Sequence, residues 1–361
     1  MRTAVIGGGP GGLFAARLIA LARPGDEVRV YERASPDAGT GFGLVFSGRA
    51  LSTVADADPE TAGLVRRVGV HWTDLELRPP GGKVRYGNHA FTALPRRALL
   101  GLLRDQAVRA GVRLTFGRAV TPAEVDADVV VAADGAGSRT RDAGGFGTTV
   151  TPGRARYIWF STPARFDAMT FPFVRTEFGA VAAHAHPYGD GVSSFLVETD
   201  DATVDAAGVR DPEHARAWLS EVFADHLGGH PLVPNGSHWS RFRVVVNERW
   251  SAGNVVLLGD AAHTAHFSIG SGTAMAMRDA IALAEALRTE PATAFAGYER
   301  ARRDSVTRAQ ANAGRSMRWW ETFGQRLHLP ADTFAAQYLT RTGVVLTAPA
   351  PVSERKARQD A

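Results

Sequence analysis

The turn Gly7-Gly8-Gly9-Pro10-Gly11-Gly12 limits what this chain can become more than any other feature. It follows an apolar run at residues 3–6 and precedes residues 13–22, whose apolar positions recur at helical spacing. Strand, glycine turn and helix in that order form the phosphate-binding corner of a parallel α/β sheet. Gly7 permits the tight turn, Gly9 lets a pyrophosphate approach the backbone, and Gly12 lets the helix pack closely on the strand. Pro10 and Gly11 complete a helix start whose unpaired N–H groups favour an anion. Glu32 stands just past the alternating strand Glu27–Tyr31, where its carboxylate can accept hydrogen bonds from an adenosine ribose. Arg33 beside it belongs to the adenine rim or to solvent. These signals alone suit NAD as well as FAD.

Two later turns narrow the choice. Asp134-Gly135-Ala136-Gly137-Ser138-Arg139-Thr140-Arg141 follows residues 128–132, an apolar run of the kind buried on both faces of a parallel sheet. Such a turn lies at the carboxyl edge of the sheet, where nucleotides bind. Gly259-Asp260-Ala261-Ala262-His263 follows a second buried-strand run at 255–258, and Gly270-Ser271-Gly272-Thr273 then opens a helix. An Asp at a strand end can hold a ribityl chain. The helix start offers free N–H groups and a positive dipole end to the negative charge of a reduced flavin.

Composition excludes several classes. With no cysteine there is neither a disulfide nor a thiolate metal site, and no histidine cluster has metal-ligand spacing, so no metal is expected. No apolar run reaches the roughly 18 residues of a membrane span, and the N-terminus lacks signal-peptide architecture. A cytoplasmic protein is expected. The net charge of +4 rests on dispersed arginines, with Lys83 and Lys356 the only lysines, so nucleic acid is not an expected partner.

The pattern along the chain predicts an α/β protein. Residues 73–91 read as hairpins, Arg96–Arg109 as an amphipathic helix, and 112–116 as a strand. Residues 157–198 are rich in aromatics, Thr and Val, which suggests an antiparallel sheet of a second domain. Residues 273–320 read as one long helical region, and the charged end as a frayed tail. The division expected is 1–72, 96–153 and 246–345 for a discontinuous Rossmann-like nucleotide domain with C-terminal helices. Residues 73–95 and 154–245 form an inserted mixed β-sheet substrate domain, and 346–361 a flexible tail.

The three motifs, in this order, resemble those of the single-component FAD-dependent aromatic hydroxylases typified by para-hydroxybenzoate hydroxylase, over about residues 1 to 310. The resemblance implies a bound FAD, with NADH or NADPH and O2 as co-substrates. It also implies ring hydroxylation through a flavin C4a-hydroperoxide in a dry pocket. It assigns Gly7, Gly9, Pro10, Gly11, Gly12, Glu32 and Arg33 to the ADP part, and Arg96 to the phosphate and ribityl region. Asp134 goes to the pyrophosphate region, Gly259 and Asp260 to the ribityl chain, and Gly270, Gly272 and Thr273 to the isoalloxazine. Phe267 replaces the proline that usually follows the Gly-Asp motif, and Ala274 the asparagine that usually opens the last helix. The segments from Gly41 to Ser47, from Tyr157 to Phe160 and from His263 to Thr273 resemble the subgroup that acts on aryl-CoA thioesters such as salicyloyl-CoA and 2-aminobenzoyl-CoA. Gly41-Phe42-Gly43 lacks a third glycine and a downstream acid, so the nicotinamide has no domain of its own.

Substrate contacts are expected from Phe46, His266, Phe267 and Ser268. His266, His184 and His186 are the candidate proton-handling groups, the last two sharing a strand face. His263 reads as a structural residue near the flavin. The group Trp159, Phe160, Phe171 and Phe173 and the pair Trp319-Trp320 read first as core. A free aromatic acid or a tryptophan-derived indole is the alternative substrate, and a non-catalytic flavoprotein that shields a reactive intermediate the alternative class. The halogenase signature W-x-W-x-I-P is absent. Monomer or homodimer is the expected assembly.

Overall fold

A computed structural model describes residues 1–36, 42–288 and 291–343; the tail expected at 346–361 and Gly41 of the Gly-Phe-Gly segment lie outside them. Arg2–Ile6 forms a strand flanked by Glu27–Tyr31 on one side and Val129–Ala132 on the other, both parallel to it. Val255–Leu257 continues the sheet in parallel beyond Val129–Ala132, and Arg113–Thr115 extends the opposite edge. Val129 to Ala132 are all fully buried, because helices cover both faces of the sheet's centre. The strands therefore come from three distant parts of the chain: 2–31, 113–132 and 251–257.

The helix Pro10–Ala22 starts with proline at its first position, where the missing N–H costs nothing. It packs against both Arg96–Arg109 and Gly272–Ala286. The region read as helical holds two helices, Gly272–Ala286 and Pro291–Trp320.

The second sheet is mixed. Thr148–Thr162, Val192–Thr199, Ala180–Gly189 and Met169–Arg175 run antiparallel in that order, and Met169–Arg175 then pairs in parallel with Leu75–Arg78. Leu75–Arg78 and Val84–Tyr86 make the expected hairpin. Phe91–Pro95 instead joins Gly43–Ser47 and Val70–Trp72 in a small third sheet. One face of the second sheet is covered by helices between 201 and 227, the other by Trp319, Trp320, Phe334 and Tyr338 of the C-terminal helices. No helix among the described residues is long and apolar enough to cross a membrane.

Candidate functional site

Three parallel strands end side by side at Ile6, Ala132 and Leu257, and the loops that follow them enclose a cleft with about 480 Å³ of empty space, open to solvent. Gly9, Pro10, Gly11 and Gly12 line one wall, Ala133 and Gly135 the next, and Leu258, Gly259 and Asp260 the third. Arg96, Gly272, Thr273 and Ala276 close it. Gly7 takes φ +110°, and a Cβ there would collide with the Ala133 carbonyl oxygen. A Cβ on Gly12 would collide with the Gly7 carbonyl, and one on Gly11 would press on Leu258 and Ala276. A Cβ on Gly9, Gly135 or Gly272 would meet no protein atom within 4 Å. The first group of glycines lets the backbone close up; the second leaves room for something else.

Helix starts point into that room. The helices Pro10–Ala22, Arg96–Arg109 and Gly272–Ala286 all begin at the cleft, and none has a side-chain cap. Helices elsewhere, those after Ser47, Asp58, Asp200 and Asp211, are capped by those side chains. Helix starts free of side-chain caps suit an anionic occupant, although at the Arg96–Arg109 helix the first N–H already donates to the Phe42 carbonyl at 2.9 Å.

The charged residues fall into place around this cleft unequally. Glu32 accepts from Gly8 N at 2.7 Å and Ala34 N at 2.8 Å, so it clamps the glycine turn to the second strand. Arg33 is exposed at that strand's end. Asp260 opens onto the cleft, and the protein mass around it pushes its pKa up, opposed by His263 and Arg96. Burial lowers the pKa of Arg96, against the pull of Asp260 and Glu32, and its guanidinium lies 5.5 Å over the Phe42 ring. Asp134 turns away: it accepts from Ser138 Oγ at 2.5 Å and from Thr140 N, while Ser138 caps the helix that carries the buried Arg141. Its neighbour Gly135 is what lines the cleft. Gly270 lies outside the lining, as the left-handed end of the turn Phe267–Ile269.

Beneath the third wall, Asp279 is fully buried and accepts from Gly259 N at 3.2 Å and Arg302 Nε at 2.8 Å. It also pairs with His263 Nε2 at 2.8 Å, so His263 braces the Gly-Asp turn from behind. These partners hold the Asp279 carboxylate below its usual range despite burial.

Beyond Arg96 an aromatic floor begins. Phe42 stacks on Trp159 at 4.4 Å, Trp159 lies 6.5 Å from Phe267, and Tyr157 meets Phe267 edge-on at 5.1 Å. Trp159 is therefore part of this floor, its Nε1 donating to Ser194 Oγ, whereas Phe160, Phe171 and Phe173 are core. Behind Phe267 stand His184, 5.6 Å away edge-on, and His266, 4.1 Å away. Phe46 is not on this surface. Only 1% exposed, it packs in the core under the small third sheet, because the Gly43–Ser47 strand turns that side chain inward.

His184 and His186 share a face of their strand but not an environment. Both nitrogens of His186 are sealed from solvent without a well-formed hydrogen bond, the Gly43 backbone being the polar group that bears on them, and its ring stacks on Trp72. Burial pushes its pKa down to about 3, as it does for His184, but unlike His184 it has both ring nitrogens shut off from any exchange partner. His184 Nε2 lies 3.0 Å from Glu198 Oε2, and its ring stacks on Trp320 at 4.1 Å. Burial lowers His184 to about 3 and raises Glu198 to about 7. His266 Nε2 is 3.7 Å from the other Glu198 oxygen. Its Nδ1 reaches Ser268 Oγ at 2.8 Å, and Ser268 continues to Ser316 and Arg341. Glu198, Ser316 and Arg341 were not singled out from the sequence, and Trp320 was read only as core or interface. An acid at the end of the apolar Phe195-Leu196-Val197 run is the signal that could have marked Glu198.

A family model described as the FAD binding domain matches residues 1–313. The chain belongs to that family. It is a flavoenzyme of the FAD-dependent aromatic monooxygenase kind. Over 361 residues it is 44% identical to salicyloyl-CoA 5-hydroxylase of Streptomyces sp, covering 95% of this chain and 70% of that protein. Over 281 residues it is 41% identical to 3-hydroxy-4-methyl-anthranilyl-[aryl-carrier protein] 5-monooxygenase of Streptosporangium sibiricum, covering 77% of each. The tetrameric form of 2-methyl-3-hydroxypyridine-5-carboxylic acid oxygenase shares its fold, with TM-score 0.70 at 19% identity over 95% of this chain and 96% of that one. The cleft suits FAD: open glycines, bare helix starts and a lone arginine line it where a pyrophosphate and a ribityl chain would run.

Proposed function

We propose that this enzyme hydroxylates the ring of an aryl thioester, with a salicyloyl thioester such as salicyloyl-CoA as substrate and C5 as the carbon oxidised. What carries the reading is the continuity of the FAD cleft, through Arg96 and Phe42, with an aromatic floor at Trp159 and Phe267. The two relatives add chemistry. Each name places the new oxygen at position 5 of a salicyl or anthranilyl group, para to the electron-donating ortho substituent.

In this reading the Gly7–Gly12 turn and its helix start receive the pyrophosphate, Glu32 the ribose, and Asp260 with Arg96 the ribityl chain. The bare N–H groups at Gly272 and Thr273 face the pyrimidine edge of the flavin. Bound FAD, reduced by NADH or NADPH, supplies activation of O2. The floor of Phe42, Trp159, Tyr157 and Phe267 holds the aromatic ring and keeps water out. A monomer or homodimer in the cytoplasm completes the proposal.

Anaerobic stopped-flow reduction by NADH, run against free acids and matching CoA thioesters, tests the substrate. Salicyloyl-CoA is expected to accelerate flavin reduction well beyond salicylate; equal acceleration would overturn the thioester. For the cofactor roles, Asp260→Ala is expected to purify with little bound FAD, and a normal yellow holoprotein would remove Asp260 from the site.

A further inference from the structure

The buried pair Glu198–His184 lies behind the aromatic floor with one contact unused. His184 Nε2 faces Glu198 Oε2 at 3.0 Å. Among the described residues its Nδ1 has no protein partner, yet it is not among the sealed, unsatisfied nitrogens as both nitrogens of His186 are. Of the three other hydrogen-bonding atoms of the cluster, one is committed elsewhere, one is closed off, and one has only a long contact within the cluster. His266 Nδ1 is held by Ser268, His266 Nε2 turns to Glu198, and Glu198 Oε1 is sealed without a hydrogen bond. His184 Nδ1 is thus an open end of the network, and the His184 ring meets Phe267 of the floor edge-on at 5.6 Å.

We propose that Glu198 is a positioning residue that draws the proton of a substrate's ring hydroxyl through His184. This rests on the phenolic-thioester reading. The hydroxyl O–H bond breaks and its proton binds His184 Nδ1, while the proton on His184 Nε2 passes to Glu198 Oε2. The imidazole ends neutral in its other tautomer, the carboxylate ends as a carboxylic acid, and the negative charge has moved to the phenolate. No net charge is created in the interior, which is why a histidine whose cation is disfavoured by burial can still do this. The phenolate releases electron density to the para carbon, the position the proposed reaction oxidises.

The surroundings favour the exchange near neutrality. Facing Glu198 and its partners are His266 from the loop after the Gly-Asp turn and Tyr157 from the adjoining strand. Glu321 faces them from the end of the long helix and Arg341 from the end of the last helix, with Tyr338 one ring further out against Phe171 and Trp320. Burial, with Glu321 adding to it, raises Glu198 to about 7, and His266 acts against the rise. A carboxylate with so high a proton affinity accepts a phenol's proton far more readily than an exposed one would. Because the exchange needs Glu198 ionised, hydroxylation should rise with pH through about 7.

The test uses FAD-loaded wild type, Glu198→Gln and Glu198→Asp with salicyloyl-CoA, between pH 5.5 and 9. Two signals are followed: the phenolate absorption band of the bound thioester on the oxidised enzyme, and steady-state kcat and KM. Wild type should show the phenolate band growing in near pH 7. Glu198→Gln should move that onset up by more than one pH unit, lower kcat by about 100-fold and change KM less than about threefold, within the range of proton-transfer catalysis. Glu198→Asp, which keeps the carboxylate, should recover kcat to within about tenfold of wild type, and FAD content and melting temperature confirm that both variants fold. If Glu198→Gln kept the wild-type phenolate onset and kcat, Glu198 would be only structural and this proposal alone would fall. If wild type neither bound nor hydroxylated the thioester, the functional reading would fall with it.

Discussion

Gly7 and Gly9 look alike in the sequence and are opposites in the structure. A Cβ at Gly7 collides with the Ala133 carbonyl and must also adopt φ +110°, so Gly7→Ala strains the protein itself. A Cβ at Gly9 touches nothing of the protein and protrudes into the cleft. Gly9→Ala should therefore leave the melting temperature of the apoprotein within about 1 °C of wild type while weakening FAD binding tenfold or more, about 1.4 kcal/mol. Gly7→Ala should lower the melting temperature even without FAD. Differential scanning fluorimetry of the stripped proteins with FAD titration separates the two; an apoprotein equally destabilised by both changes would contradict the division. The residue-level pattern was legible because glycine spacing encodes backbone geometry directly. Asp134 was less so, since its role depends on whether a side chain turns toward the cleft or back to Ser138, and composition carries no sign of that.

At the scale of elements, the cleft is made by helices that begin where strands end, and its floor is tied from below. Asp279, on the Gly272–Ala286 helix, joins the Gly259 N–H, His263 and Arg302, which come from the Gly-Asp turn and the long helix. Asp279→Ala leaves the half-buried Arg302 guanidinium without its carboxylate and His263 without its partner, and frees the turn that presents Asp260. The expected loss is about 3 kcal/mol in denaturant unfolding, with FAD released at the same time. Unchanged stability would mean that water or another carboxylate replaces Asp279. The strands and helices around this cleft were readable because the periodicity of buried apolar residues is local: Arg96–Arg109 and Glu27–Tyr31 come out with the predicted bounds. The helices Gly48–Ala57 and Pro59–Val68 were not read, although Ser47 and the Asp58-Pro59 pair are helix-start signals. The small sheet of Gly43–Ser47, Val70–Trp72 and Phe91–Pro95 could not be read, because pairing across 48 residues is decided by tertiary packing.

The buried histidines His184, His186 and His266 and the buried Glu198 lie together on the second sheet and the loop packed against it, and that burial gives stability a pH dependence. Burial lowers His184 and His186 to about 3 and His266 to about 4 in the folded chain. Unfolded, each titrates near 6.5. Between those values the unfolded chain binds more protons than the folded one, so stability falls as pH drops below about 6.5, by about 1.4 kcal/mol per pH unit for each uncompensated group. Glu198 works the other way. Its pKa is raised from 4.5 to about 7, so the folded chain holds the extra proton between those values, and that contribution is lost as pH rises through about 7. Three groups against one leave a net loss on acidification from pH 6.5 to 4.5, and below 4.5 Glu198 ceases to oppose it. Melting temperatures at pH 7.5, 6.5, 5.5 and 4.5 should therefore decline steadily below 6.5. Replacing His186, whose buried ring nitrogens lack a well-formed hydrogen bond, by Phe should make that decline shallower and raise the melting temperature at pH 5, because it removes one titrating group together with poorly satisfied buried polar atoms. A wild-type profile flat between pH 6.5 and 4.5, or an unchanged slope in His186→Phe, would show that these imidazoles reach water in solution and keep ordinary proton affinities.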